Sequence, residues 1–485
     1  MVYKNIFLQK KPLKMICLGF SSGLPILLVF STLSVWLIKA GINRSTVTLF
    51  SWAGFAYAFK YLWSPLVDNY KLPFFSKLGH RRSWLFLSQI LIILSLIFTA
   101  FTDPRESLLF TAFFITLLAF SSATQDILID AFRIESAPQS LQGPMSSMYI
   151  AGYRIGMLTA GAGSLWLAAF FGSEEYNPDV WKNVYLIMSS FMLIGIFATF
   201  ISEEPTLKRK FEKKNHIRFL LTIFIAVVGF IYVYSIFDNP FSKNEIFLSF
   251  IFSVIRLFIC FIFAFLIIKF LILLKFSSKK KIEESYLLPI FNFLKRYGKF
   301  AFFILLLISL YRIADVVMGV MANIFYLEKG YKIVEIATFS KFFGVFATIL
   351  GGFIGGYSSY KLGTMKALFI GAFLAAASNL LFAWLALSQI SISFLITVIT
   401  ADNISSGFAG AAFVIYLSGL TSIKFTATQY ALFSSIMLFL PKLISGYAGG
   451  WVDIIGYPYF FSLTAFLGLP VLFLIIWIGK VAPIK

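Results

Sequence analysis

Asp126 and Asp130 stand one helical turn apart near the end of an apolar stretch, Leu108 to Ala131. Arg154 lies inside the next such stretch. Carboxylates and a guanidinium in these positions can hold a proton, pair with each other, or bind an ionic solute. A charge at the centre of a membrane helix costs about 3 kcal/mol even on a lenient insertion scale, so it faces a partner or a polar cavity. Lys60, Asp126, Arg154, Arg312, Asp315, Lys341, Asp402 and Lys442 all fall inside hydrophobic runs. So many penalties in one chain imply a polar route through its middle, which is the chemistry of a transporter.

Depth divides these groups into roles. At 1.5 Å per residue, Asp126 lies about 10 Å from the boundary near Arg133, and Arg154 about 15 Å in from Pro144. A long arginine side chain can bridge that gap. Paired, Asp126 would stay ionised; unpaired in a dry site, a carboxylate favours its protonated form. Asp126 and Arg154 are therefore the candidate proton-coupling residues, or else a static structural pair. Asp130 lies closer to the membrane face, within reach of Arg81 or Arg82, and is assigned to a gate.

Lys60, Arg154 and Lys442 reach mid-depth from different helices, joined by Arg312, which Asp315 can neutralise locally. Such cations suit a substrate bearing carboxylates. Gln125, Tyr153, Tyr311, Asn403 and Gln429 can hydrogen-bond hydroxyls and amides, or can serve only to join helices. With Asp315 and Asp402 they complete the candidate substrate-binding set.

The elements that must position these residues are membrane helices. The 485 residues are 59% hydrophobic and only 13% charged, which excludes a soluble domain of this size. Apolar runs recur near residues 15–38, 46–66, 84–102, 108–131, 145–171, 182–201, 217–237, 246–274, 300–326, 334–357, 366–387, 391–420, 428–450 and 457–479. That gives about fourteen spans. The formal charge of +20 does not indicate nucleic acid, because the basic residues sit in short loops between spans. Most of those basic residues fall on one side, which places both termini in the cytosol. Cys17 and Cys260 lie in apolar runs, and His80 and His216 build no metal site. No cofactor is expected beyond a proton gradient.

The chain reads as two six-helix halves, 1–206 and 298–485, separated by an inserted hairpin with basic linkers at 207–297. Phe50-Ser51 recurs as Phe339-Ser340, and Arg154 recurs as Lys442, at nearly the same offset. Halves related in this way describe the all-α major facilitator architecture, with a substrate site at mid-depth between them. The hairpin is expected at the bundle edge, outside the transport path. In the loop after the second span, Asp68 precedes Gly79-His80-Arg81-Arg82. This resembles the gating signature of that superfamily: Asp68 can cap a facing helix end while Arg81 or Arg82 pairs with an acid on the fourth span. The alternative is an ordinary basic loop. The matching position in the second half is Tyr357, so the latch should be one-sided.

Longer strings narrow the resemblance. They include Ser22-Gly23-Leu24-Pro25, Phe59-Lys60-Tyr61-Leu62-Trp63-Ser64-Pro65, Ala123-Thr124-Gln125-Asp126, Gly152-Tyr153-Arg154-Ile155-Gly156, Tyr311-Arg312 with Asp315, Asp402-Asn403 and Thr428-Gln429-Tyr430-Ala431. Together they resemble the AmpG-type muropeptide permeases over nearly all of both halves. The resemblance implies proton-coupled import of GlcNAc-1,6-anhydroMurNAc and its peptides across a bacterial inner membrane, for peptidoglycan recycling. It implies a small glycan or peptide substrate, a bilayer, no nucleic acid and a monomer. The sequence departs from the family in placing the extra pair between the halves, and in carrying Arg312 for a Lys and Asp402 for a Glu. A carrier of another anionic metabolite, such as a nucleotide or acyl-coenzyme A, is the alternative. A membrane-embedded transferase is disfavoured because no sizeable polar loop is present.

Overall fold

The computed structural model describes residues 9–42, 50–72, 75–172, 176–205, 216–237, 240, 246–331, 335–445 and 447–481, and these are helical throughout, with no strand among them. Eleven of the helices are long and apolar enough to cross a membrane. Three of the expected fourteen spans fall short of that measure, each for a visible reason. The second is broken into Phe50–Gly54, Phe55–Ala58, Lys60–Leu62 and Ser64–Asn69, with Phe59 out of the helix. The fifth runs from Gln139–Leu158 through a π-helical Thr159–Gly163 into Ser164–Phe170, and is diluted by Gln142, Ser146, Ser147 and Arg154. The seventh, His216–Ile236, has a shorter apolar core, Leu221–Ile236.

Lipid is as apolar as leucine, so membrane helices associate through close packing rather than through escape from water. Small residues supply that packing here. A Cβ added at Gly23 would lie 2.0 Å from the Tyr153 carbonyl oxygen, and one at Gly152 would lie 2.0 Å from that of Ile16. Lys10–Val29 and Gln139–Leu158 are thereby in backbone contact along their length. The second half repeats the device between Gly344–Leu362 and Ile392–Leu420. A Cβ at Gly351 would lie 2.1 Å from the Ile404 oxygen, and one at Gly407 would lie 2.0 Å from that of Thr348.

The two halves meet at the end that carries the basic loops. Ala427 and Ala431 of the second half join Met15, Leu18, Val67 and Leu85 in one buried cluster, and Ile134 of the first half joins a cluster of the second. Between Gln139–Leu158 and Gly344–Leu362, Ser147 donates to the Gly352 carbonyl at 2.9 Å.

The inserted hairpin, His216–Ile236 and Ile246–Leu273, presents Phe224, Phe258 and Phe265 outward, each more than 60% exposed. It leans on the second span through Phe59 and Phe230, and on Thr426–Ser445 through Phe261 and Phe439. The Tyr447 hydroxyl donates to the Ser249 carbonyl at 3.0 Å. After the hairpin, Leu288–Tyr297 lies across both halves. Tyr286, in the preceding Glu283–Leu287 turn, bonds the Leu62 carbonyl on one side, while on the other Arg296 donates to the Leu420 carbonyl at 2.8 Å.

Candidate functional site

Gly79 starts the closed end. Its φ of +97° suits glycine, and a Cβ there would collide with Glu204 at 2.5 Å. The turn aims the backbone N–H groups of Arg81 and Arg82 at the two Glu204 oxygens, at 2.8 and 3.1 Å, so a carboxylate satisfies the orphan donors of His80–Ala100. Arg81 is 1% exposed and forks onto two acids, Asp68 at 2.7 Å and Glu135 at 2.6 Å. Asp68 in turn accepts from the Ala427 N–H at 3.2 Å and from the N–H and hydroxyl of Thr428, both at 2.8 Å. A carboxylate of the first half thus caps the start of Thr426–Ser445 in the second. Arg82 instead donates to the Thr199 and Phe200 carbonyls at the end of Leu193–Ile201.

Asp130 is not the acid of this latch; Glu135, five residues further along Pro104–Ser136 and beyond the apolar run, takes that place. Asp130 faces Arg133 at 3.5 Å and the Tyr430 hydroxyl. Fully buried Arg133 donates to Gln142 at 3.1 Å, to Ser146 and Ser418 at 3.0 Å, and to Tyr430 at 3.3 Å. It is a second bolt between the halves. Sequence reading took it for the membrane boundary, since nothing in its spacing distinguishes a buried bolt from a positive-inside residue.

Deeper in the first half, Asp126 is 8% exposed and accepts from the Ser22 hydroxyl at 2.5 Å. The same hydroxyl lies 3.1 Å from Tyr149. Lys60, held inward by the break after Phe59, is within electrostatic range of Asp126 and Asp130. The anticipated Asp126–Arg154 bridge is absent: among the described residues Arg154 donates to the Met157 sulfur at 3.9 Å, and it is within electrostatic range of Arg312 in the other half. Tyr153 tilts against Tyr149 at 5.9 Å, between Asp126 and Arg154.

In the second half, Ala301–Leu310 and Ile313–Lys329 are interrupted at Tyr311 and Arg312. Arg312 lies 3.1 Å from Asp315 and 3.3 Å from the Ser406 hydroxyl, while Asp402 is within electrostatic range of both Arg312 and Asp315. Three of the anticipated solute contacts are spent on packing. Tyr311 stacks on Phe413 at 4.4 Å and donates to the Leu368 carbonyl. Asn403 accepts from Thr348 at 2.9 Å and donates to Ile399. Gln429 is clamped by Arg296, Ser422 and Pro289 at the closed end. Gln125 likewise donates to the Ser21 carbonyl at 2.8 Å, joining two helices. Lys442 is exposed, with no ion pair to a described acid. The side chain of Lys341 lies outside the described residues.

The site therefore has a carboxylate–lysine centre in the first half, an arginine–carboxylate centre in the second, and Arg154 within electrostatic range of the second. The profile of the Major Facilitator Superfamily matches residues 15–441. The AmpG 4 transporter of Rickettsia felis is 33% identical, over 99% of both chains. The chain belongs to the AmpG-type permeases of the major facilitator superfamily. It is also similar to the anhydromuropeptide permease of Escherichia coli K12, at 29% identity over 98% of this chain and 81% of that one. Among solved structures, the proton:xylose symporter XylE aligns with a TM-score of 0.58 over 99% of this chain and 95% of its own, at 12% identity, a likeness of fold. The protein is thus a multi-pass membrane transporter and not an enzyme.

Proposed function

We propose that this permease imports GlcNAc-1,6-anhydroMurNAc and its peptide-bearing forms from periplasm to cytosol across a bacterial inner membrane, driven by protons. The name of the Escherichia coli relative supports the cargo. The observation that carries the reading is the guanidinium of Arg154, whose hydrogen-bond partner among the described residues is a thioether and which lies within electrostatic range of Arg312. An anhydromuramyl group brings a lactyl carboxylate and a peptide stem brings more, each able to accept from such a fork. Tyr153 lies near Arg154, and Lys60 near Asp126, and both suit sugar and N-acetyl oxygens.

Asp126 is the proposed proton carrier. Its direct partner is a neutral hydroxyl, and Lys60 is the cation nearby. Ionised, Asp126 holds Lys60; protonated, it releases Lys60 to the substrate. With both termini cytosolic, the Asp68–Arg81–Glu135 latch closes the cytosolic end, leaving a state that receives substrate from the periplasm. Bound substrate and proton must favour the open latch by more than its charge-assisted bonds, which contribute about 1.5–3 kcal/mol each. A single chain suffices, as a monomer. Competition of labelled anhydromuropeptide uptake by a substrate panel in proteoliposomes tests the cargo. Anhydromuropeptides should compete best; stronger competition by nucleotides or acyl-coenzyme A would replace it with those phosphates, which the same cations also suit.

A further inference from the structure

Asp126 leaves a second group of half-buried charges unused. In the second half Arg312 and Asp315 approach to 3.1 Å, yet that Asp315 oxygen has no aligned hydrogen bond. The guanidinium has five donors, and its one aligned bond is a long one, 3.3 Å to Ser406. The ion pair is therefore poorly seated, and a better-placed carboxylate can displace it. Arg154, on the first half, is within electrostatic range of Arg312 and has no ion pair with an acid among the described residues.

The described charged and titratable groups facing Asp402 are Asp315, Arg312 and Tyr326, and Ser378 donates a hydrogen bond to it. Asp315 and Asp402 thus share a single guanidinium. Arg154, Arg312, Asp315 and Asp402 together are neutral when all are ionised. A substrate carboxylate spanning the two guanidinium groups would leave the cluster with an excess negative charge in a low-dielectric setting. One proton restores neutrality. Two carboxylates deprived of their cation cannot both stay ionised, so the proton goes to that pair.

We propose that Asp315 and Asp402 form a second proton site, loaded when a substrate carboxylate takes Arg312 from Asp315 and bridges it to Arg154. The proposal rests on the carboxylate-bearing substrate class given above. The proton adds to a carboxylate oxygen of the pair, both guanidinium groups stay charged, and no other bond changes. Asp315 is then a switch between cation partner and proton partner, and Asp402 shares its proton.

Binding of GlcNAc-1,6-anhydroMurNAc to purified protein is measured against pH and compared with its lactyl N-methylamide, which lacks the charge. Wild-type affinity for the acid should fall about tenfold per pH unit once the pair must be loaded, the slope of one linked proton. The amide should lose the share of the slope that belongs to the pair and keep only what Asp126 contributes. Asp402→Asn should bind the acid without the pair's share of the slope, and Asp126→Asn should keep that share. A full slope in Asp402→Asn, or one lost only in Asp126→Asn, overturns the second site. A separate readout needs no substrate: on acidification, the infrared band of a protonated carboxyl should lose intensity in both Asp402→Asn and Asp315→Asn. If the sugar acid does not bind wild type while this band behaves as stated, the cargo reading fails and the proton pair stands. An unchanged band in both variants removes the pair itself.

Discussion

Among the described residues Ser22 is the one direct hydrogen-bond donor to Asp126, and its hydroxyl also meets Tyr149. Removing it takes away a contact that steadies the ionised carboxylate. Ser22→Ala should lower uptake severalfold and move its pH profile to higher pH, since the proton is then held more tightly; an unchanged profile would detach Ser22 from the carrier. Arg81 is a different case, because it satisfies two buried acids at once. Breaking a buried charge pair costs about 3–5 kcal/mol. Arg81→Ala should therefore lower the detergent melting temperature markedly, and Arg81→Lys should restore it only in part, since an ammonium lacks the planar fork. A melting temperature equal to wild type in Arg81→Ala would contradict the latch as drawn. The charged residues were legible in the sequence because each violates the cost of burial in an apolar run. Their partners were not. Glu135 lies past the end of the run, Ser22 is one small residue among many, and Arg154 could have turned either way from its helix.

At the element scale, the sequence marked the spans well and their breaks poorly. Hydropathy averages over a window, so the interruption at Phe59 that turns Lys60 inward, and the one at Arg312, leave no trace in it. The glycine contacts could be anticipated only in part: the Gly161 and Gly163 run was visible, whereas the backbone contact runs through Gly23 and Gly152. Gly152→Val should separate Lys10–Val29 from Gln139–Leu158 and give poorly folded protein by size-exclusion chromatography; a normal monodisperse peak would refute that contact. The cap on Thr426–Ser445 is an element-scale device too. A capping side chain contributes about 1 kcal/mol, equivalent to about fivefold in population. Asp68→Ala should raise reactivity of a cysteine introduced at Thr428 toward a membrane-impermeant thiol reagent applied from the cytosolic side by about that factor. Equal reactivity with and without Asp68→Ala would contradict the cap.

For the whole molecule, the bonds recorded between the halves gather at one end: Asp68 with Thr428, Arg133 with Ser418, and Ser147 with Gly352. A cysteine at Gly352 has ordinary room, its nearest neighbour being 3.5 Å from the added Cβ. Ser147→Cys with Gly352→Cys, joined by a short thiol cross-linker, should hold that end shut and reduce uptake to background until a reductant is added. Full uptake by the cross-linked protein would show that this closure need not open. The two-half layout was readable from the sequence because each half repeats its small-residue and basic landmarks. Which end is shut was not, because it depends on partners far apart in the chain.

The central claim is that a proton on Asp126 drives the import of an anhydromuropeptide. The direct measurement is uptake of labelled GlcNAc-1,6-anhydroMurNAc into proteoliposomes with an imposed inward proton gradient, for wild type and Asp126→Asn. Wild type should accumulate the sugar above equilibrium, and Asp126→Asn should not accumulate it at any external pH. Accumulation by Asp126→Asn equal to wild type would contradict the account.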